Sequence, residues 1–243
     1  MKKKSSLLLC NRLALVSGAN RGIGLEIATA LAREGCDLVL TARDAKTLAQ
    51  AARKIEKLGV RVLAQTCDVR SPESIDYLFT LVRALHRPLD FLVNNAGIGH
   101  PNRAVADLPY PMWVDVIETN LTGMFLMTQA GLAVMRRGSV IVNNLSVAAE
   151  QVFPGSAAYS ASKHGALGFT DTLREELRPK GIRVVALLPG ATDTDIWKTL
   201  WPKAPRGKMM SAATVARAVV NALQLPPDSA IEKLVIRPAV GTL

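Results

Sequence analysis

A glycine-rich segment near the start of the chain restricts the fold more than any other feature. The apolar run of residues 13–16 leads directly into residues 17–24, which contain three glycines, and an amphipathic segment follows. Glycines let the backbone turn tightly and approach a diphosphate, and the N-terminus of a following helix offers unpaired N–H groups to an anion. The sequence therefore predicts a strand, a phosphate-binding turn and a helix, in that order.

Strand-like and helix-like segments alternate along the rest of the chain. Further strands are predicted over residues 37–41, 61–67, 89–93, 139–145, 182–188 and 233–237. Helices are predicted over 23–34, from the cap Asp44 to 59, from Ser71-Pro72 onward, over 111–137, through Tyr159 and Lys163 to about 178, and over 212–223. Such units predict parallel strands joined by right-handed crossovers. We expect one α/β domain over residues 13–243, a single Rossmann-type doubly wound parallel sheet with helices on both faces, after an N-terminal extension of residues 1–12.

Charge and length limit the partners of this domain. The 243 residues carry a formal net charge of +10, but the 30 basic residues are spread over nearly every segment and form no basic stripe. An anionic cofactor or substrate explains this charge better than a nucleic acid does. No apolar run approaches the roughly 20 residues that cross a bilayer. We expect no nucleic acid partner and no membrane partner.

Cysteine and histidine usage favours a reducing cytosol and no metal site. The scattered residues are Cys10, Cys36, Cys67, His86, His100 and His164. They supply neither a disulfide framework nor a metal-ligand spacing. Residues 1–10 resemble the opening of a signal peptide, but the polar pair at 11–12 interrupts the apolar run and a core strand follows. A cytoplasmic protein is the expectation.

The pair Tyr159 and Lys163 indicates proton-transfer chemistry. Residues four apart share one face of a helix, so the phenol and the ammonium can meet. A neighbouring cation favours the phenolate and lowers a pKa that is normally about 10, which makes the phenol a usable proton donor near neutral pH. This spacing alone is also typical of a surface helix, and the other motifs of the chain decide between the two interpretations.

Those motifs resemble the short-chain dehydrogenase/reductase family from residue 13 to residue 194. Residues 17–24 match the family pattern T-G-x-x-x-G-x-G, with Ser17 in place of threonine. The other matches are Asn94-Asn95-Ala96-Gly97, Asn120, Ser146, Tyr159 with Lys163, and Pro189-Gly190 followed by Thr194. The resemblance implies hydride transfer between a nicotinamide cofactor and a carbonyl or alcohol.

The same resemblance implies a role for each catalytic residue. Tyr159 donates the proton to the carbonyl oxygen and Ser146 helps to hold that oxygen, since hydride transfer builds negative charge there. Lys163 lowers the phenol pKa and bonds the nicotinamide ribose. Asn120 anchors a water that links Lys163 to solvent.

Cofactor contacts follow from the resemblance as well. Asp68 and Val69 are expected near the adenine, Asn94 near its ribose and Thr194 at the carboxamide. The remaining expected cofactor residues are Ser17, Gly18, Asn20, Arg21, Gly22, Ile23, Gly24, Arg43, Ala96, Gly97, Tyr159, Lys163, Pro189 and Gly190.

Charge at the end of the second strand selects between NADP(H) and NAD(H). NAD-binding relatives usually place a carboxylate there for the ribose 2′-hydroxyl. This chain has Ala42 followed by Arg43, with Arg21 in the glycine turn, and two guanidinium groups suit a 2′-phosphate. Asp44 competes for the hydroxyl, but we expect it to cap a helix. The sequence predicts NADP(H), with NAD(H) as the alternative.

The resemblance also implies two segments beside the substrate. One is residues 147–156, with Gln151, Val152 and Phe153; the other is an apolar lid over about residues 191–211. The lid residues are Asp195, Ile196, Trp197, Leu200, Trp201, Met209 and Met210, with the basic residues Lys198, Lys203, Arg206 and Lys208. For the apolar residues two interpretations stay open: they line a substrate pocket, or they pack against the body of the protein or a neighbouring subunit. For the basic residues the two interpretations are attraction of an acidic substrate and a solvated surface. We expect a small apolar carbonyl or alcohol as the substrate.

Several alternatives stay open at this stage. Residues 231–238 lack the V-D-G-G ending of many relatives that reduce 3-oxoacyl groups, and resemble a branch acting on assorted small carbonyls and hydroxy acids. Rival functions are an NAD-dependent alcohol or hydroxy-acid dehydrogenase, a nucleotide-sugar epimerase of the longer relatives, and a non-enzymatic NADP(H) sensor. Fewer than 50 residues after Thr194 argue against the epimerase, and the Tyr159–Lys163 pair argues against the sensor. The resemblance implies a homodimer or homotetramer.

Overall fold

The computed structural model of the chain describes residues 8–226 and 228–241. Its strands are β1 Leu13–Ser17, β2 Asp37–Ala42, β3 Val62–Thr66, β4 Leu89–Asn94, β5 Met135–Asn144, β6 Arg183–Pro189, β7 Thr192–Asp193, β8 Met210–Ser211 and β9 Lys233–Ile236. Its helices are α1 Gly22–Arg33, α2 Ala45–Glu56, α3 Pro72–Arg83, α4 Tyr110–Ile117, α5 Gly123–Leu132, α6 Ala157–Leu177, α7 Trp197–Leu200 and α8 Ala212–Leu223. A π-helical turn, Glu118–Thr122, joins α4 to α5.

Seven parallel strands form the main sheet, in the order β3-β2-β1-β4-β5-β6-β9. The chain moves outward from β1 to β3, then returns to the other side of β1 with β4. β7 and β8 form a separate two-stranded sheet. The predicted doubly wound α/β fold is confirmed, and the strand order reverses between β1 and β4, where such folds bind ligands.

Apolar side chains alternate between the two faces of the sheet. In β1, Ala14 and Val16 face a core built with α1, α2 and α8, whereas Leu13 and Leu15 face one built with α3, α5 and α6. Side chains in a strand point alternately to opposite faces, so β1 is buried on both sides. Both cores hold the strand ends in fixed positions around the site.

The predicted helical region over residues 111–137 is confirmed as far as Leu132 and is wrong beyond that residue. The π turn interrupts it at Glu118, and α5 ends at Leu132. The chain reverses there, because the Val134 N–H bonds to the Gly131 carbonyl, and Met135 then pairs with Leu89. The predicted strand over 139–145 is therefore the buried part of a longer strand.

Predicted helix starts are confirmed by their caps. The Asp44 carboxylate accepts a hydrogen bond of 2.7 Å from the Thr47 N–H, and the Ser71 hydroxyl accepts one of 3.0 Å from the Ser74 N–H. Residues 1–7 of the predicted extension lie outside the described residues. Leu9 is buried and its N–H bonds to the Glu34 carbonyl, so the described end of the extension packs on the body.

Candidate active site

A cavity of about 1240 Å³ opens at the carboxyl ends of the parallel strands. Residues that follow β1, β4, β5 and β6 contribute Gly18, Ala96, Ser146 and Gly190 to its wall. Parallel strands bring their carboxyl ends to one edge of a sheet, and this edge includes the reversal point between β1 and β4. The motif residues that are far apart in the sequence meet here for this reason.

The glycine turn has the backbone that its sequence predicts. Gly18 and Gly22 have φ values of +65° and +56°, a region that favours glycine. A Cβ on Gly24 would lie 2.4 Å from both the Gly18 carbonyl oxygen and the Asn95 amide nitrogen. The N-cap of α1 is Arg21, which makes no side-chain cap, and no acidic residue lies in the first turn. The N–H groups at this helix start therefore suit the diphosphate of a dinucleotide.

Two residues of the turn motif build the cavity without lining it. The Ser17 hydroxyl accepts hydrogen bonds of 2.9 Å from Asn95 N–H and 3.0 Å from Ala96 N–H. Gly24 provides the close approach that lets α1 pack beneath the turn. Gly18, Asn20, Arg21, Gly22 and Ile23 do line the cavity.

One end of the cavity is lined by Arg43, Asp44 and Thr47. Hydrogen bonds from Thr47 hold the pKa of the Asp44 carboxyl below its usual value, so this carboxylate is committed to capping α2. The Asn20 amide also donates to the Thr47 hydroxyl, at 2.9 Å. Arg43 is exposed, and Arg21 lies 3.9 Å from the Asp195 carboxylate. This end of the cavity therefore carries the guanidinium groups of Arg21 and Arg43. Its carboxylate, Asp44, already accepts hydrogen bonds from Thr47.

The predicted adenine contacts lie on the cavity wall beside β3. Val69 is buried there, and Gly123 of α5 packs on it so closely that a Cβ would lie 2.7 Å from the valine Cγ2. Arg70 donates hydrogen bonds to the Asp68 carboxylate and holds its pKa below the usual value. The Asp68 carboxylate is therefore occupied by Arg70, and the residue offers a ligand in the cavity mainly its backbone groups.

Asn94 lies behind the wall. Its amide donates hydrogen bonds of 2.9 Å to the Thr128 hydroxyl and to the Asn143 carbonyl oxygen, and it is absent from the cavity lining. The next residue, Asn95, lines the cavity instead. Successive side chains of a strand point to opposite faces, which is why the two asparagines separate. The resemblance put Asn94 at a ribose, and the structure puts its side chain inside the sheet.

Ser146 and Tyr159 lie side by side in the cavity wall, within hydrogen-bonding reach of each other. Ser146 lies two residues after β5 and accepts a hydrogen bond of 3.1 Å from the Ala148 N–H, which fixes its side chain at the start of a 3₁₀ turn. Burial raises the pKa of the Tyr159 phenol, and the hydrogen-bonding Ser146 hydroxyl partly offsets that rise. The expected lowering of this pKa is wrong in this structure: the net effect is a rise, because burial outweighs the Ser146 hydrogen bond.

Lys163 lies one turn after Tyr159 on α6, as the spacing predicts. Its Nζ is 5.7 Å from the centroid of the Tyr159 ring and donates a hydrogen bond of 3.0 Å to the Asn144 carbonyl. Burial lowers the pKa of this ammonium to about 8. A buried ammonium with a pKa of about 8 suits general acid–base chemistry near neutral pH.

Asn120 lies inside the π turn and does not line the cavity. It is fully buried, accepts a hydrogen bond of 2.8 Å from Ile98 N–H, and donates to the Ile98 carbonyl and to the Ser162 hydroxyl. A Cβ on Gly97 would lie 3.2 Å from the Asn120 oxygen and 3.8 Å from Lys163 Nζ. Asn120 thus supports the loop after β4 from behind, next to the lysine.

Comparison with known proteins gives the family. A sequence model described as short chain dehydrogenase matches residues 12–205 of the chain. The chain belongs to this family. A Streptomyces coelicolor protein named as a ketoacyl reductase is 38% identical over 233 residues, which cover 86% of this chain and 88% of that protein.

Solved structures of other short-chain dehydrogenases have the same fold. A mutant form of actinorhodin polyketide ketoreductase with NADPH is 35% identical, with a TM-score of 0.83 over 96% of this chain and 98% of that one. The alcohol dehydrogenase from Thermococcus sibiricus complexed with 5-hydroxy-NADP is 30% identical, with a TM-score of 0.87 over 94% of this chain and 97% of that one.

In this short-chain dehydrogenase, apolar side chains from both predicted substrate segments line the cavity. They are Phe153, Ile196, Trp197, Leu200 and Trp201. Leu200 packs directly on Gly99, where a Cβ would lie 2.4 Å from the leucine Cδ2. The lid segment therefore reaches from the loop after β4, at Gly99, to the glycine turn, where a Cβ on Gly22 would lie 3.3 Å from Thr194 Cγ2.

Other predicted lid and loop residues do not line the cavity. Val152 is 84% exposed, Gln151 is outside the lining, and Met210 is buried in the core at β8 with Met209 beside it. Lys198 and Arg206 pair with Asp195 and Asp193, and none of the four basic lid residues lines the cavity.

Sequence reasoning missed several residues of the cavity wall. They include Thr41, Thr47, Cys67, Asn95, Thr119 and Asn144. Strand ends pointing at the reversal point were the available signal for Asn95 and Asn144. Within the described residues, His, Cys, Asp and Glu form no group of three able to hold a metal, and no helix is long and apolar enough to cross a bilayer.

Proposed function

We propose that this short-chain dehydrogenase is an NADP(H)-dependent reductase of ketoacyl-type carbonyl groups with an apolar body. Hydride transfer to a carbonyl is the activity of its family, and the cofactor and the substrate class are the proposal. The observation that carries it is that Ser146, Tyr159 and Lys163 line the same cavity as the glycine turn and Arg43.

Bound NADPH supplies the hydride and both of its electrons to the carbonyl carbon. As charge builds on the carbonyl oxygen, the Ser146 hydroxyl donates a hydrogen bond to it and the Tyr159 phenol transfers its proton, which gives the alcohol. The phenolate that remains is next to the Lys163 ammonium, which stabilises it. In the oxidative direction Tyr159 accepts the proton of the alcohol. The Phe153, Leu200 and Trp201 side chains exclude water.

Arginines at one end of the cavity support NADP(H) over NAD(H). Arg43 follows Ala42 at the end of β2, and Arg21 lies in the glycine turn, so both guanidinium groups can fork to a 2′-phosphate. Asp44, the carboxylate that would otherwise accept from a 2′-hydroxyl, is the cap of α2. The two solved relatives contain NADPH and 5-hydroxy-NADP.

A comparison of the two cofactors tests this assignment. We expect kcat/KM for NADPH to exceed that for NADH by at least about tenfold, and Arg43→Glu to reverse the order. Arg53→Glu on the exposed part of α2 is the matched charge control. Equal use of both cofactors by the wild-type protein would contradict the proposal.

The apolar wall and the relatives support the substrate class. Residues 231–238 argued against 3-oxoacyl substrates, but the relative named as a ketoacyl reductase covers 86% of this chain and outweighs that argument. A panel of 3-oxoacyl thioesters, diketones, aldehydes and sugars with NADPH tests the class. We expect the thioesters and diketones to turn over; turnover of charged sugars only would refute it, and NADPH binding without any turnover would indicate a sensor.

We also propose a homodimer or homotetramer in the cytosol. Trp113 on α4 and Phe125 on α5 are 37% and 43% exposed, and Phe125 makes an edge-to-face contact with Phe169 on α6. Exposed aromatics of this size commonly mark an interface. Light scattering of the purified protein measures the mass, and a monomer at micromolar concentration would exclude this assembly.

A further inference from the structure

Asn144 is a buried polar residue of the cavity that has no part in the proposed chemistry. It ends β5, is 9% exposed, and lines the cavity two residues before Ser146. We infer that Asn144 is a positioning residue that holds the glycine turn in the shape that binds the dinucleotide. The inference rests on the proposed function only in requiring a dinucleotide ligand.

A chain of hydrogen bonds runs from the lysine of α6 to the glycine turn through this residue. Lys163 Nζ donates to the Asn144 backbone carbonyl at 3.0 Å. The Asn144 amide donates to the Asn95 side-chain oxygen at 2.8 Å. The Asn95 amide in turn donates to the carbonyls of Ser17 and Gly18, at 2.9 and 3.2 Å.

The last link has little freedom to move. A Cβ on Gly18 would lie 3.0 Å from the Asn95 amide nitrogen, and one on Gly24 would lie 2.4 Å from it. Because a peptide unit is planar, fixing the Ser17 and Gly18 carbonyls also fixes the N–H groups that follow them. The Asn95 amide thus sets the orientation of the turn, and the Asn144 amide sets the rotamer of Asn95.

A stability argument also points to a role for this amide. Among the described residues, the Asn144 side-chain oxygen is buried without a hydrogen-bond partner. Such an atom destabilises the fold, and a leucine at this position would remove the penalty. A leucine cannot replace the NH₂ group of the same amide, which donates a hydrogen bond to Asn95.

The matched residue for a test is Asn143, which precedes Asn144 in β5. It is fully buried on the opposite face, accepts from Asn94 and donates to the Thr170 hydroxyl at 2.9 Å. Asn143→Leu removes the same chemical group without touching the glycine turn. It reports the effect of losing a buried amide from β5 alone.

The experiment measures the Kd of NADPH by fluorescence titration, independently of turnover. We expect Asn144→Leu to weaken binding about tenfold and Asn143→Leu to change it less than twofold. If Asn144→Leu does not fold, Asn144→Ala and Asn143→Ala replace the pair. Wild-type affinity in the folded Asn144 variant would overturn the inference.

A double-mutant cycle separates positioning from general destabilisation. In an Asn95→Leu background we expect Asn144→Leu to change the Kd less than twofold, because its partner is already missing. The same tenfold loss in both backgrounds would show that Asn144 acts by another route and would overturn the inference. Failure of the wild-type protein to bind NADPH or NADH would instead refute the proposed function.

Discussion

The two halves of the cavity are built in different ways. In the cofactor half, main-chain atoms and buried amides meet: Gly24 approaches the Gly18 carbonyl and the Asn95 amide within distances that no Cβ permits. In the substrate half, the ends of side chains meet, as where Leu200 packs on Gly99, and Lys198 pairs with Asp195 at the surface. The first half constrains the identity of its residues, and the second constrains little beyond their size and polarity.

This difference predicts where substitutions are tolerated. Backbone atoms in the cofactor half cannot move without shifting a strand end, whereas a leucine can change its rotamer at small energetic cost. We expect the cofactor half to lose function after single changes and the substrate half to change specificity. Tyr159 and Lys163 lie where the two halves meet.

The largest effect on activity is expected from Tyr159→Phe. This substitution should lower the rate of the chemical step and leave cofactor binding nearly unchanged. Without the phenolic proton, kcat falls about 10³-fold, within the range of general acid catalysis, while the Kd of NADPH stays within about threefold. Steady-state kinetics and fluorescence titration measure the two quantities. Tyr110→Phe, at a 77% exposed tyrosine, is the control. Near-wild-type kcat in the folded Tyr159 variant would remove Tyr159 from the mechanism.

Gly24→Ala tests the rigidity of the cofactor half. The new Cβ would lie 2.4 Å from a backbone oxygen, so α1 or the turn must shift, and we expect NADPH binding to weaken about a hundredfold. Titration measures it, with Gly168→Ala as the control, since nothing lies within 4 Å of a Cβ there. Unchanged affinity of Gly24→Ala for NADPH would mean that the backbone of the glycine turn can shift as easily as the side chains of the lid.

The pH dependence of stability tests whether the meeting point of the halves is dry. The ordinary lysine pKa of 10.5 falls to about 8 at Lys163, so between these values the unfolded chain binds more protons than the folded one. Stability therefore rises with pH in this window by up to about 1.4 kcal/mol per unit, and below pH 8 the burial penalty is fully present. Urea unfolding from pH 7.5 to 9.5 measures this against Lys163→Met. Equal slopes for both proteins would indicate a solvated lysine.

The smallest effect is expected from Gly99→Ala in the substrate half. The new methyl group meets the end of the Leu200 side chain, which can move, so KM for the ketone rises about threefold and the Kd of NADPH stays unchanged. Gly207→Ala, in the same lid but with nothing within 4 Å, is the control. A loss as large as that of Gly24→Ala would end the distinction between the halves.

The same distinction explains what the sequence could predict. The glycine turn, the strand order and the helix carrying Tyr159 and Lys163 follow from patterns that the backbone imposes. Sequence could not decide between Asn94 and Asn95, because both match the motif and only the orientation of the strand end assigns one to the cavity.

The sequence pattern also could not predict how burial and neighbouring charges balance in the pKa of the Tyr159 phenol. The phenol pKa depends on burial as much as on the cation beside it, and burial is known only once the cavity is built. The end of α5 was missed because Leu132 and Met135 continue an apolar pattern across a tight reversal of the chain. Met209 and Met210 looked like lid residues, yet Met210 packs in the core.

The π turn between α4 and α5 has a consequence for the outer surface. Trp113 and Phe125 are twelve positions apart, which on an unbroken α-helix puts their side chains about 120° apart. A π turn absorbs one extra residue, which rotates everything after it by about 100° and leaves the two aromatic rings about 20° apart. The extra residue that places Asn120 beneath the active site thus also turns the exposed rings of Trp113 and Phe125 toward the same side of the helix.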